Sequence, residues 1–145
     1  MAFGSKARDS ATPYVVYEFA VRGRVYYVGL GQRYSKRATD RWNHITKQME
    51  RLKREGMLPT NKMRALLTPS GAVIRTMIEL GMGPHDICYP WKGVGRLNAE
   101  KAEAKVIARR LAQGCVLANV AGNSQLASVG DVLRYLGVRV PRRKG

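Results

Sequence analysis

Two short runs of β-branched and aromatic residues open the patterned part of the chain. Residues 14–20 read Tyr-Val-Val-Tyr-Glu-Phe-Ala and residues 24–30 read Arg-Val-Tyr-Tyr-Val-Gly-Leu, which predicts two strands. Val21-Arg22-Gly23 lies between them and reads as a hairpin turn, with Gly23 free to take positive φ. If the loop is these three residues, Ala20 pairs with Arg24, Tyr17 faces Tyr27 directly, and both rings lie on one face. A two-residue loop would put the two rings on opposite faces. After Ser35 the period changes. Arg37, Arg41, His44 and Gln48 recur at i, i+4, i+7 and i+11, one stripe of a helix capped by Ser35 and running to about Gly56.

Pro59 ends that element. Residues 62–67 predict a short helix, and residues 70–80 a longer one capped by Ser70 and closed by Gly81. Gly81-Met82-Gly83-Pro84 marks a loop, and residues 85–91 a third strand. Asn98 then caps a helix of strong formers over 99–113, stopped by Gly114. Residues 116–120 read as a short strand or an extended buried segment, and 128–136 as a last helix. The expected organisation is a flexible arm over 1–13, one domain over 14–140, and a basic tail over 141–145. No internal repeat or low-complexity tract interrupts it. The fold class expected is α/β in the α+β arrangement: a small, mostly antiparallel three-stranded sheet flanked by helices.

Charge changes the picture. The 145 residues carry 26 Lys and Arg against 10 Asp and Glu, a net +16, with an isoelectric point near 10.5. Such an imbalance on a short chain points to a polyanionic partner, with nucleic acid leading. An acidic membrane surface fits less well, because no segment is a clean basic amphipathic helix. The longest apolar runs are too short to span a bilayer. Cys88 and Cys115 form no Cys-x-x-Cys pattern, and with His44 and His85 they lack zinc-finger spacing. A cytoplasmic chain with reduced thiols is expected. The glycine-rich stretches lack Gly-Lys-Ser/Thr, so a nucleotide-binding loop is not supported.

Val15-Val16-Tyr17 and Tyr27-Val28-Gly29 are separated by nine residues. Downstream come arginine and histidine on the first helix, a glutamate on a later helix, then an asparagine. Over about residues 14–119 this order resembles the GIY-YIG nuclease superfamily. Valine replaces both the glycine and the isoleucine of the first motif. The resemblance implies a GIY-YIG-like fold and a Mg²⁺-dependent endonuclease, with Mn²⁺ as an alternative ion. One activated water would cleave DNA to leave a 5′-phosphate and a 3′-hydroxyl.

The resemblance also implies roles. Glu103, followed by Ala104-Lys105-Val106-Ile107, takes the metal-ligand position, with Glu100 one turn away as the alternative. A single carboxylate suits Mg²⁺, which keeps several waters. Tyr17 positions or deprotonates the attacking water and Tyr27 supports it. A phenol is a poor base unless nearby cations depress its pKa, an effect expected from the metal and the arginines. Arg37, eight residues after Gly29, and Arg41, within Arg41-Trp42-Asn43-His44, compete for the essential arginine, which would clamp the phosphate. His44 could hydrogen-bond that phosphate or protonate the leaving oxygen.

The basic stretch over 45–84 is expected to hold the DNA backbone through Lys47, Arg51, Lys53 and Arg54. Lys92, with Trp91 and Gly93, reads as a stacking-plus-charge surface. Asn119, matching the family's terminal asparagine, joins the nucleic-acid-binding set. The partner expected is duplex or branched DNA, without membrane or small-molecule cofactor; specificity, biological role and oligomeric state stay open. Two other readings compete: a non-catalytic nucleic-acid-binding module on the same fold, and a basic ribosome or nucleoprotein assembly factor. For the first of these, charge alone suffices. A pure binder has no use for a buried carboxylate aimed at a phosphate, so the tyrosine, arginine and Glu103 set separates the readings.

Overall fold

The computed structural model describes residues 11–141. Most of the expected N-terminal arm and C-terminal tail, residues 1–10 and 142–145, lies outside the described residues. Three strands, β1 (Pro13–Val21), β2 (Arg24–Gln32) and β3 (Asp86–Val94), form an antiparallel sheet in the order β2-β1-β3. Among the described residues there are five helices: α1 (Arg41–Glu55), α2 (Thr60–Leu67), α3 (Pro69–Glu79), α4 (Arg96–Ala112) and α5 (Val129–Tyr135). The class is mixed α/β. Thr12 O accepts from Gly95 N at 2.9 Å and Pro13 O from Arg33 N at 3.0 Å, so the end of the expected arm is tied to the sheet.

The hairpin corrects the turn reading. Val21 pairs with Arg24 and Ala20 with Val25, leaving the two-residue loop Arg22-Gly23, both at positive φ (50° and 80°). Such a turn matches the twist of the strands it joins. The register then shifts between Phe19 and Ala20: Phe19 pairs with Tyr27 and Tyr17 with Gly29. Tyr26 is the extra residue, a β-bulge in which two residues oppose one. The bulge restores the parity that the short loop would have broken. Tyr17 and Tyr27 therefore share a face, diagonally rather than directly opposed, with ring centroids 6.3 Å apart.

Alternation on β1 builds two cores. Tyr17, Phe19 and Val21 pack with Tyr26, Trp42, Ile45, Leu66, Val73, Ile74, Met77 and Leu133, joining the sheet to α1, α2, α3 and α5. Val16 and Ala20 pack on the other face with Val25, Val28, Val106, Ile107 and Leu111, joining it to α4. Glu18 shares that second face at 1 % exposure. Its two carboxylate oxygens accept from Arg110 Nε at 2.6 Å and Nη2 at 2.8 Å, a two-point pair that fixes α4 to the central strand.

Helix starts differ most from expectation. Residues 33–40 form turns, and α1 begins only at Arg41. Ser35 does not cap it: the Ser35 hydroxyl accepts from Arg37 N at 3.2 Å, and Thr39 donates back to Lys36 O at 3.0 Å. Such local side-chain bonds compete with helix formation. α3 starts with Pro69 at its first turn and is capped by Thr68, which accepts from Gly71 N at 3.1 Å; Ser70 is inside it. α4 begins at Arg96, three residues before the expected start. Residues 116–120 form no strand, and Leu117, Ala118 and Asn119 are buried.

Candidate active site

Gly29 is the pivot of the site. It sits directly across from Tyr17 on the edge strand β2, and the tyrosine ring lies flat over it. A Cβ at Gly29 would come within 2.2 Å of Tyr17 Cζ and 2.4 Å of its hydroxyl oxygen. With no side chain in the way, the ring crosses β2 and carries its hydroxyl toward the edge. There it stands in the field of Tyr27, Arg37, Arg41 and Glu103 together. These five residues come from four separate parts of the chain.

The electrostatics correct one expectation. Burial is the largest influence on Tyr17 and pushes its pKa up to about 12; Tyr27 adds to the rise, while Arg37 and Arg41 oppose it without prevailing. Tyr27 is raised as well, chiefly by burial. Both phenols therefore hold their protons at neutral pH, and the arginines alone do not make Tyr17 a base.

Glu103 and Glu100 separate clearly. Glu100 is exposed and accepts from Arg96 Nε at 3.1 Å. Glu103 is half-buried on the stripe Ala99-Glu103-Ile107, whose flanking members are buried against the sheet. Burial, then the neighbouring charge of Glu100, pushes its pKa up. A desolvated carboxylate held beside another carboxylate is stabilised by a cation. Among the described residues no three His, Cys, Asp or Glu side chains gather as a metal cage. A lone half-buried carboxylate of this kind could hold Mg²⁺ together with waters and a substrate phosphate.

Arg37 is not on the α1 stripe, because it precedes the helix. It nevertheless lines one cleft with Arg41, His44 and Ala65. Arg41, at the first turn of α1, is half-buried. Its Nη2 makes only long contacts, 3.5 Å to Thr68 Oγ1 and 3.4 Å to Ser70 Oγ, and its buried Nε has no partner. A guanidinium so poorly compensated favours an anion. Burial, followed by Lys62, Arg41 and Lys47, lowers the pKa of His44, so it is a neutral imidazole at pH 7 rather than a ready acid.

The expected backbone-contact residues divide. Lys92 is exposed and lines a cleft with Tyr17 and Arg37. Lys47 stands near His44. Arg51 pairs with Glu55 at 2.9 Å, and Lys53 and Arg54 are exposed at the far end of α1, about 18 Å along its axis from Arg41. Asn119 is buried: its Nδ2 donates to Val28 O at 2.7 Å and its Oδ1 accepts from Val28 N at 3.0 Å. It takes the place of a strand neighbour on β2, next to Gly29, and its amide is committed there. Trp91 and Lys92 do not form one surface, since they point to opposite faces: Trp91 packs in the α4-side core, folded over Gly93.

Two residues escaped the sequence reading. Tyr26 Oη and His85 Nδ1 share a 2.6 Å hydrogen bond. His85 stacks on Phe19 at 3.9 Å and meets the edge of Trp42 at 5.4 Å. Burial, with Arg41 adding, lowers the His85 pKa to about 4. The charge of Arg41 acts on both members of the pair, and no local pattern marks the bulge that frees Tyr26 for it. Compared with known proteins, the chain matches no family model, no curated protein and no solved structure.

Proposed function

We propose that this chain is a Mg²⁺-dependent endonuclease that hydrolyses DNA phosphodiester bonds at a GIY-YIG-type site. One observation carries the reading: two buried phenols, Tyr17 and Tyr27, both stand in the field of Arg37, Arg41 and Glu103. A basic surface built only for binding would not set a half-buried carboxylate beside two buried phenols. Arg37 and Arg41 hold the scissile phosphate, and Arg41 gains the anion its weak protein contacts leave it without. Tyr17, protonated and braced by Tyr27, positions the attacking water by hydrogen bonding. His44, neutral, hydrogen-bonds the phosphate. The water oxygen bonds to phosphorus as the bond to the 3′-oxygen breaks; the attacking water gives up one proton to solvent and the leaving oxygen takes one from solvent, giving a 5′-phosphate and a 3′-hydroxyl. Mg²⁺ at Glu103 would add positive charge at a phosphate oxygen and at the Tyr17 hydroxyl.

The test is supercoiled plasmid incubated with protein and Mg²⁺, with and without chelator. Cleavage is expected only without chelator. Glu103→Gln is expected to abolish it while DNA binding stays equal or tightens, because repulsion of the phosphate is relieved; Glu100→Gln is expected to cleave. If both variants cleave at the wild-type rate, the catalytic reading fails.

A further inference from the structure

The sheet face that carries Tyr17 continues toward β3. A second register shift lies between Val16 and Glu18, which pair with Trp91 and Cys88. One residue of β1, Tyr17, is thus opposed by two of β3, Tyr89 and Pro90. The extra residue leaves Tyr89 and Lys92, three positions apart, together on the Tyr17 side of the sheet. Tyr17, Arg33, Tyr34, Arg37, Tyr89 and Lys92 line one cleft of 200 Å³. Two of these rings are open to solvent, Tyr34 at 83 % and Tyr89 at 41 %. The Lys92 ammonium stands 5.6 Å from the centre of the Tyr89 ring.

We propose that this cleft binds an unpaired nucleotide of the DNA strand beside the bond cut at Tyr17, its base stacked on Tyr89 and Tyr34 and its phosphate held by Arg33 and Lys92. The placement beside a scissile bond rests on the endonuclease reading; the binding of an unpaired nucleotide does not. A fully paired duplex keeps its bases stacked inside and offers only phosphates, for which the cations alone would serve. Open rings add nothing to that contact. They match a base whose face is free, and stacking of this kind is worth roughly 5- to 150-fold in affinity per base. Tyrosine suits the task, because a ring with two torsions loses little freedom on binding. Cations interleaved with rings are the arrangement by which proteins track single strands. The substrate class that follows is DNA with an unpaired segment at the cut: a flap, a branch or a single strand.

The experiment measures binding with chelator present, so that no strand is cut. A single-stranded oligonucleotide carrying 2-aminopurine, whose fluorescence is quenched by stacking, is compared with a blunt duplex of the same sequence. Wild-type protein is expected to quench the single strand. Tyr89→Ala is expected to lose the quench and about tenfold in single-strand affinity, with duplex affinity within about twofold; Tyr89→Phe is expected to behave as wild type. Equal losses on both substrates, or a quench that survives Tyr89→Ala, overturn the proposal. If the wild type with Mg²⁺ cuts neither plasmid nor a flapped or single-stranded oligonucleotide yet shows the Tyr89-dependent quench, the endonuclease reading falls and the cleft stands. Plasmid cutting with Tyr89-independent binding has the opposite meaning.

Discussion

Replacing Gly29 by alanine tests the geometry of the site without touching a charged group. The new Cβ would lie 2.2 Å from Tyr17 Cζ, whereas carbon atoms in contact stay about 3.5–4.0 Å apart. Ring and strand must therefore part by about 1.5 Å. Overpacking of this sort costs about 1–3 kcal/mol. Gly29 is in a strand, where alanine is otherwise better than glycine by roughly 0.5–1 kcal/mol. The sign thus depends on the ring. With Tyr17 present, Gly29→Ala should destabilise by about 1–2 kcal/mol, at about 2–4 °C of melting temperature per kcal/mol. In a Tyr17→Ala background it should stabilise slightly. The assay is thermal unfolding of both single variants and the double variant, which isolates the coupling between the two positions. Displacing the Tyr17 hydroxyl by about 1 Å should also slow single-turnover cleavage by about 100-fold. If Gly29→Ala destabilises equally with and without the ring, the close approach is not why glycine stands there.

Two further outcomes are expected. Arg110→Ala strands the buried Glu18 carboxylate and should cost about 3–5 kcal/mol in urea unfolding, while Glu18→Leu with Arg110→Met should restore most of it; a loss under about 1 kcal/mol for Arg110→Ala would mean that the pair does not anchor α4. His85 has a folded pKa of about 4 against about 6.5 unfolded, so between these values the unfolded chain binds more protons. Its contribution is complete above about pH 6.5 and is lost as pH falls toward 4, a change of about 3 kcal/mol. His85→Gln should flatten the urea midpoint across that window, and an unchanged slope would assign the acid sensitivity elsewhere.

The strands were readable because alternation on β1 serves two cores, and both periods are local. The difference in exposure between Glu103 and Glu100 is local too, since only Glu103 lies on the helical stripe with the buried Ala99 and Ile107. The placement of Arg37 was not, because the helical period of Arg37, Arg41, His44 and Gln48 runs through a segment that Ser35 and Thr39 hold in turns. Neither register shift has a sign in composition, yet together they place Tyr26 and Tyr89. Pairs such as Tyr26 with His85 and Glu18 with Arg110 join residues 59 and 92 positions apart, and no local pattern announces them. The rise in the Tyr17 pKa depends on burial depth, which a list of neighbouring cations does not contain.

The bulge at Tyr26 gives the hairpin one residue of slack. Removing Val25 or Tyr26 could be absorbed by a regular ladder: Val21 would still meet Arg24, Phe19 would still meet Tyr27, and Tyr17 would still meet Gly29. The loss would fall on the Tyr26-His85 pair and not on the register of the two tyrosines. Nine residues between the motifs are therefore one more than this geometry requires. A chain with eight could hold the same face together, and a comparison keyed to a constant spacing would pass over it. Deletions in this hairpin and deletions in the strand beyond it differ in kind: the first can be taken up locally, while the second reverses every side chain that follows.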